Sequence, residues 1–135
     1  AGDAVKGFPA MAVSALISAS PVMVYAGQEL GEKASEAEGF SGFDGRTTIF
    51  DYWKVETLCR LQNSDYRLQI GENVIFDLYR RLLSIANSEV VAEGKFYDLM
   101  WLNQGNQQFD SSRQYAFVRY TDKEALFVVA NFAGE

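Results

Sequence analysis

Apolar residues recur with two different rhythms along the chain. Near the start, Val5, Phe8, Ala12, Val13, Leu16 and Ile17 return at helical spacing through about residue 18, with Asp3 placed to cap the first turn. Pro9 stands too late for a first-turn proline, so it is expected to kink or delay this helix. Residues 21–25, Pro-Val-Met-Val-Tyr, are continuously apolar without alternation, which predicts a strand buried on both faces of a parallel sheet. A stronger helix is predicted over 70–87: Val74, Ile75, Leu78, Leu82 and Ile85 line one face, and Arg80 and Arg81 face water.

From Gly94 the rhythm shortens. Residues 96–102, 115–120 and 125–132 are aromatic and β-branched runs, separated by polar turn material at 103–113 and 121–124. They predict a small antiparallel sheet or meander. The pattern as a whole is α+β, with a mainly helical part over 1–93 and antiparallel strands over 94–135.

Between the first strand and the long helix the chain turns polar. Residues 28–44 hold Gly31, Gly39 and Gly42 with the acids Glu29, Glu32, Glu36, Glu38 and Asp44, and predict a long surface loop of the kind that is functional or mobile. Ile49, Phe50, Tyr52 and Trp53 then form an aromatic cluster, and 55–62 suit a short helix.

Composition narrows the chemistry. With 48% apolar positions, the 135-residue chain can bury a core. A net charge of -6 and scattered basic residues argue against nucleic-acid binding, which needs clustered Lys and Arg. The absence of histidine removes Ser-His and Cys-His catalysis and the usual zinc sites, and leaves carboxylates as the acid–base groups. The single Cys59 cannot form an internal disulfide, and its leucine neighbours suit a buried small hydrophobe. The apolar stretch over 5–25 is interrupted by Pro9 and Pro21 and lacks a charged start, so neither a signal peptide nor a membrane helix is expected. A first residue other than Met suits a processed or truncated product.

Three segments together carry a resemblance. Pro21-Val-Met-Val-Tyr-Ala-Gly-Gln-Glu-Leu-Gly31 resembles the eighth barrel strand of the α-amylase family, glycoside hydrolase family 13, where a Pro-containing apolar strand runs into Tyr-x-Gly-x-Glu. Pro21 stands one residue further from Gly27 than in the commonest form of that pattern. Asp44-Gly-Arg-Thr-Thr-Ile-Phe-Asp-Tyr-Trp53 is similar to the segment after that strand in some bacterial members. Tyr79-Arg-Arg-Leu-Leu-Ser-Ile-Ala-Asn87, followed by Gly94-Lys-Phe-Tyr-Asp98, resembles the last barrel helix passing into a C-terminal β domain. Order and spacing span nearly the whole chain.

The resemblance implies a fragment: the last strand and helices of a (β/α)8 barrel, then part of a β domain. A complete barrel needs about 250 residues. The family's nucleophile, general acid and third acid follow earlier strands, so all three are expected to precede Ala1, and no catalytic residue is expected within the chain. The parent would be a retaining enzyme acting on α-glucans such as starch and maltooligosaccharides, without a cofactor. A non-catalytic carbohydrate-binding or interaction module built from the terminal strands is the alternative. Without the other barrel strands, residues 22–25 and the long helix lose partners, which predicts self-association or a rearranged packing.

Four residues are candidates for contact with the glucan in the intact enzyme. Glu29 borders the cleft or supports the strand end by hydrogen bonding. A catalytic pair of Glu29 with Asp44 is a poor prospect: retaining hydrolysis needs carboxyl groups about 5 Å apart, held in a rigid shell that an acidic loop does not supply. Phe40 and Phe43, each following Gly, are candidates for stacking on sugar faces, whereas Phe50 and Trp53 suit the core. Arg46 can meet a sugar hydroxyl or fix the loop by pairing with Asp44 or Asp51. The acids lack the spacing of a calcium loop, so no metal is expected.

Overall fold

A computed structural model describes residues 4–25, 27–31 and 74–133. The expected Asp3 cap, the loop after Gly31, the aromatic cluster at 47–53, the helix at 55–62 and Cys59 lie outside the described residues. So do Phe40, Phe43 and Arg46.

The architecture is α+β. Helix α1 spans Ala4–Leu16, a 3-10 turn Gln28–Leu30, helix α2 Val74–Ala86 and the single-turn α3 Glu89–Ala92. Strand β1 (Lys95–Asp98), a second 3-10 turn (Trp101–Asn103), β2 (Gln114–Tyr120) and β3 (Ala125–Asn131) complete the order. Two compact units divide the chain: Ala1–Val5 with Met23–Arg80, and Lys6–Val22 with Arg81–Glu135.

The second unit holds the main described core. The strands form an antiparallel sheet in the order β1-β2-β3. Register alternates the side chains: Phe117 opposes Val128 and Arg119 opposes Leu126 on one face, while Val118 opposes Phe127 on the other. On the first face Phe117 and Val128 pack in one cluster with Ala15 and Leu16 of α1, Leu82 of α2, and Val90 and Val91 of α3. Phe117 is fully buried and is flanked by Phe96 and Tyr115, each with ring centroids 5.6 Å away. Burial of such a ring contributes about 2–3 kcal/mol.

Helix α1 buries the stripe Phe8, Met11, Ala12, Ala15 and Leu16 to differing degrees, and Val5 is exposed. Pro9 neither delays nor ends it, because the helix already runs from Ala4 and Pro9 lies inside. In α2 the buried stripe is turned from the expected one. Tyr79 and Leu82 are buried, whereas Val74 and Ile85 face solvent beside Arg80 and Arg81.

Residues 21–25 correct the expected buried strand. They take no regular secondary structure, and Met23 is 83% exposed. A strand of the parallel type exists only where neighbours complete its ladder. Among the described residues none does so, and Val22 instead packs against the helical core.

The expected strand over 96–102 is cut short. Asp98 Oδ1 accepts the Met100 N–H at 2.7 Å, a local turn that ends β1 and starts the 3-10 turn at Trp101. The chain stays against the sheet, since Leu99 N–H donates to Ala116 O and Ala116 N–H reaches Met100 Sδ. The turn at 121–124 closes as expected: Thr121 N–H donates to Glu124 O at 2.9 Å, and Thr121 Oγ1 accepts the Lys123 and Glu124 amides.

Gly94 joins the helices to the sheet for a steric reason. A Cβ there would lie 2.0 Å from Val90 O and 3.1 Å from Tyr120 O, so the chain crosses between α3 and β2 only without a side chain.

Candidate functional site

The segment 25–31 is shaped by two glycines. Gly27 and Gly31 take φ of 87° and 76° on either side of the turn Gln28–Leu30, a left-handed conformation that favours glycine. Leu30 anchors the turn in the interior of the first unit.

Gln28 links this turn to α2. Its Oε1 accepts the Tyr25 N–H at 3.0 Å, its own N–H donates to Tyr25 O at 2.9 Å, and its Nε2 donates to the Tyr79 hydroxyl at 2.7 Å. One glutamine side chain thus ties two tyrosines together. Tyr79 is buried, and burial pushes its hydroxyl above the ordinary pKa of 10.0; the Gln28 hydrogen bond opposes that, and the charge of Glu29 adds to it.

Glu29 is half-buried, and its Oε2 is enclosed without a hydrogen-bond partner. A shielded acceptor of this kind is costly unless something donates to it. The charge of Glu29 acts on the nearby phenol of Tyr79, which is itself buried and bonded to Gln28. Asp44, the other acid weighed for a catalytic pair, lies outside the described residues, as do Phe40, Phe43 and Arg46. Only Glu29 of the four candidates is therefore placed. The sequence points to Glu29 but not to Gln28 or Tyr79, whose contact spans 51 positions. No local pattern encodes such a contact.

The second unit has a cleft of about 240 Å³ bordered by Ala15, Ser18, Ser20, Leu83, Asn87 and Val91 among others. Its lining contains no ionisable side chain, so it offers no acid or base. Asn87 Nδ2 is engaged by Leu83 O, and Ser18 Oγ by the Ser20 amide. Among the described residues there is no cluster of three His, Cys, Asp or Glu that could hold a metal ion, and no helix is long and apolar enough to cross a membrane.

No family model, curated protein or solved structure matches this chain. Its described residues define an α+β protein with a three-stranded antiparallel sheet.

Proposed function

We propose that the chain is the C-terminal portion of an α-amylase-like glycoside hydrolase acting on α-glucans, and that alone it is catalytically inactive. The observation that carries the reading is the Gln28–Tyr79 hydrogen bond at 2.7 Å. It joins two of the three segments on which the family resemblance rests, 21–31 and 79–87. The order of elements, helices first and a small antiparallel sheet after Gly94, supports the same reading. On it, Glu29 borders the glucan cleft of the intact enzyme, and Phe40, Phe43 and Arg46 contact the same glucan.

The test has two parts. The reading frame upstream of Ala1 is expected to encode the Asp, Glu and Asn-His-Asp barrel motifs of the family; a frame without them removes the enzyme reading. The isolated chain, incubated with soluble starch, is expected to release no reducing ends above background. Turnover that Glu29→Gln abolishes would overturn the inactivity.

A further inference from the structure

The face of the sheet turned away from the core carries Tyr97, Val118, Phe127 and Val129. Tyr97 meets the ring of Trp101 nearly edge-on, with centroids 6.2 Å apart and planes at 71°. That contact covers one edge of the indole and leaves Trp101 54% exposed. Its Nε1–H donates to no group among the described residues.

The segment around Trp101 is unusual in this acidic chain. Residues 99–109 contain no ionisable side chain but include Asn103, Gln104, Asn106, Gln107 and Gln108. The two asparagines are consumed by the turn, Asn103 Nδ2 donating to Leu99 O and Asn106 Nδ2 to Asn103 Oδ1. The carboxamides of Gln104, Gln107 and Gln108 are exposed and bonded to no group among the described residues. Side chains three apart eclipse in a 3-10 turn, so Trp101 and Gln104 leave it on one side.

We infer that Trp101, which contacts Tyr97, forms with Gln104 on the same side of its turn and the free carboxamide of Gln107 in the same segment a binding platform for a neutral glycan chain. An exposed indole presents a flat apolar face for the C–H face of a pyranose. Free carboxamides and the indole N–H supply both donors and accepting oxygens for sugar hydroxyls. Asp98 at the start of the turn is engaged by the Met100 N–H, and residues 99–109 themselves carry no charge, a composition that suits a neutral polyol better than an ionic partner. The site lies apart in sequence from the Glu29 site, and the choice of an α-linked glucan as ligand rests on the function proposed above.

Titration of the ¹⁵N-labelled full chain tests this, with the two tryptophan indole signals assigned by Trp101→Phe. Maltoheptaose is expected to shift the Trp101 indole signal in a saturable way and to leave Trp53 unmoved. In glycogen-loaded gels, Trp101→Ala should lose at least about tenfold of the wild-type affinity, and Gln104→Ala with Gln107→Ala about three- to tenfold, the scale of one or two hydrogen bonds. Circular dichroism melts of each variant, expected to match the wild type, separate lost contacts from lost fold. Saturable binding of cellohexaose with none of maltoheptaose keeps the platform and overturns the α-glucan reading. No shift at Trp101 with either sugar, or wild-type retardation of Trp101→Ala, overturns the platform itself and leaves the enzyme reading to its upstream test.

Discussion

The guanidinium of Arg119 donates to the carbonyl of Val91 at 2.6 Å from a position only 6% exposed on the core face of β2. It also donates to Ile17 O at 3.2 Å, while Nε has no partner. Ile17 comes just after the last residue of α1 and Val91 lies near the end of α3, so one buried cation serves carbonyls at two helix ends. No carboxylate among the described residues pairs with it.

Arg119→Met therefore keeps much of the packed volume and strands two carbonyls. It should destabilise the chain by about 2–4 kcal/mol, combining lost charge-assisted bonds with unsatisfied acceptors. Arg119→Lys should fall between, because one ammonium lacks the planar fork that reaches both carbonyls. Urea unfolding measures both; a loss under about 0.5 kcal/mol for Arg119→Met would show that the carbonyls find water instead.

Gly94→Ala forces a methyl onto the Val90 carbonyl, where the neighbour is backbone and cannot swing aside. Overpacking of this kind costs about 1–3 kcal/mol, and backbone as the obstacle places it at or beyond the upper end. A melting temperature equal to wild type would refute the close approach of α3 and β2.

Legibility in the sequence differs from element to element. The hairpin of β2 and β3 is legible, because dense aromatic and β-branched residues flank a short polar turn and antiparallel neighbours in sequence are neighbours in space. Helix α2 is legible in its end near 87, while the expected start at 70–73 lies outside the described residues, and it is not legible in rotation: Tyr79 rather than Val74 defines its buried stripe, a choice made by what packs on the helix rather than by its period. Helix α3 is too short for a period to show, although Ser88 and Glu89 make a start signal; the Ser88 hydroxyl in fact donates to Ile85 O rather than capping the turn. At 21–25 an apolar run has the pattern of a strand, but pattern cannot supply the partner strands that a ladder requires. Glu29 is legible as an acid beside a glycine turn, whereas Gln28 and Tyr79 meet only through the fold.

Tyr79 should make stability depend on alkaline pH. Its folded pKa is raised, first by burial and further by Glu29, against the Gln28 hydrogen bond. The neutral phenol is thus favoured in the folded chain, and its contribution is fully present below the ordinary value of 10.0 and lost as pH rises through the raised folded value. Glu29→Gln should lower the Tyr79 pKa while leaving it above the ordinary value, and Gln28→Ala should raise it. Ultraviolet tyrosinate titration, with Tyr79→Phe as the reference for subtraction, reads each shift. No change on Glu29→Gln would mean that the carboxylate does not act on the phenol.

The β3 strand should govern how the isolated chain associates. Among the described residues it is an edge of the sheet, and its seven residues Ala-Leu-Phe-Val-Val-Ala-Asn contain no charge and no proline. Natural edges are usually protected by Lys, Pro or a bulge, and an apolar β-branched edge pairs with other chains. Phe127 is 70% exposed on the outer face beside a similarly open Val129. We expect concentration-dependent association in light scattering, and we expect Val129→Lys to suppress it while changing monomer stability by no more than about 0.5 kcal/mol, as at other exposed positions. The charge repels its own copy across an antiparallel pair, where Val129 side chains from two chains lie on one face. Association unaltered by Val129→Lys would place the contact elsewhere in the chain, and a strictly monomeric wild type would remove the prediction.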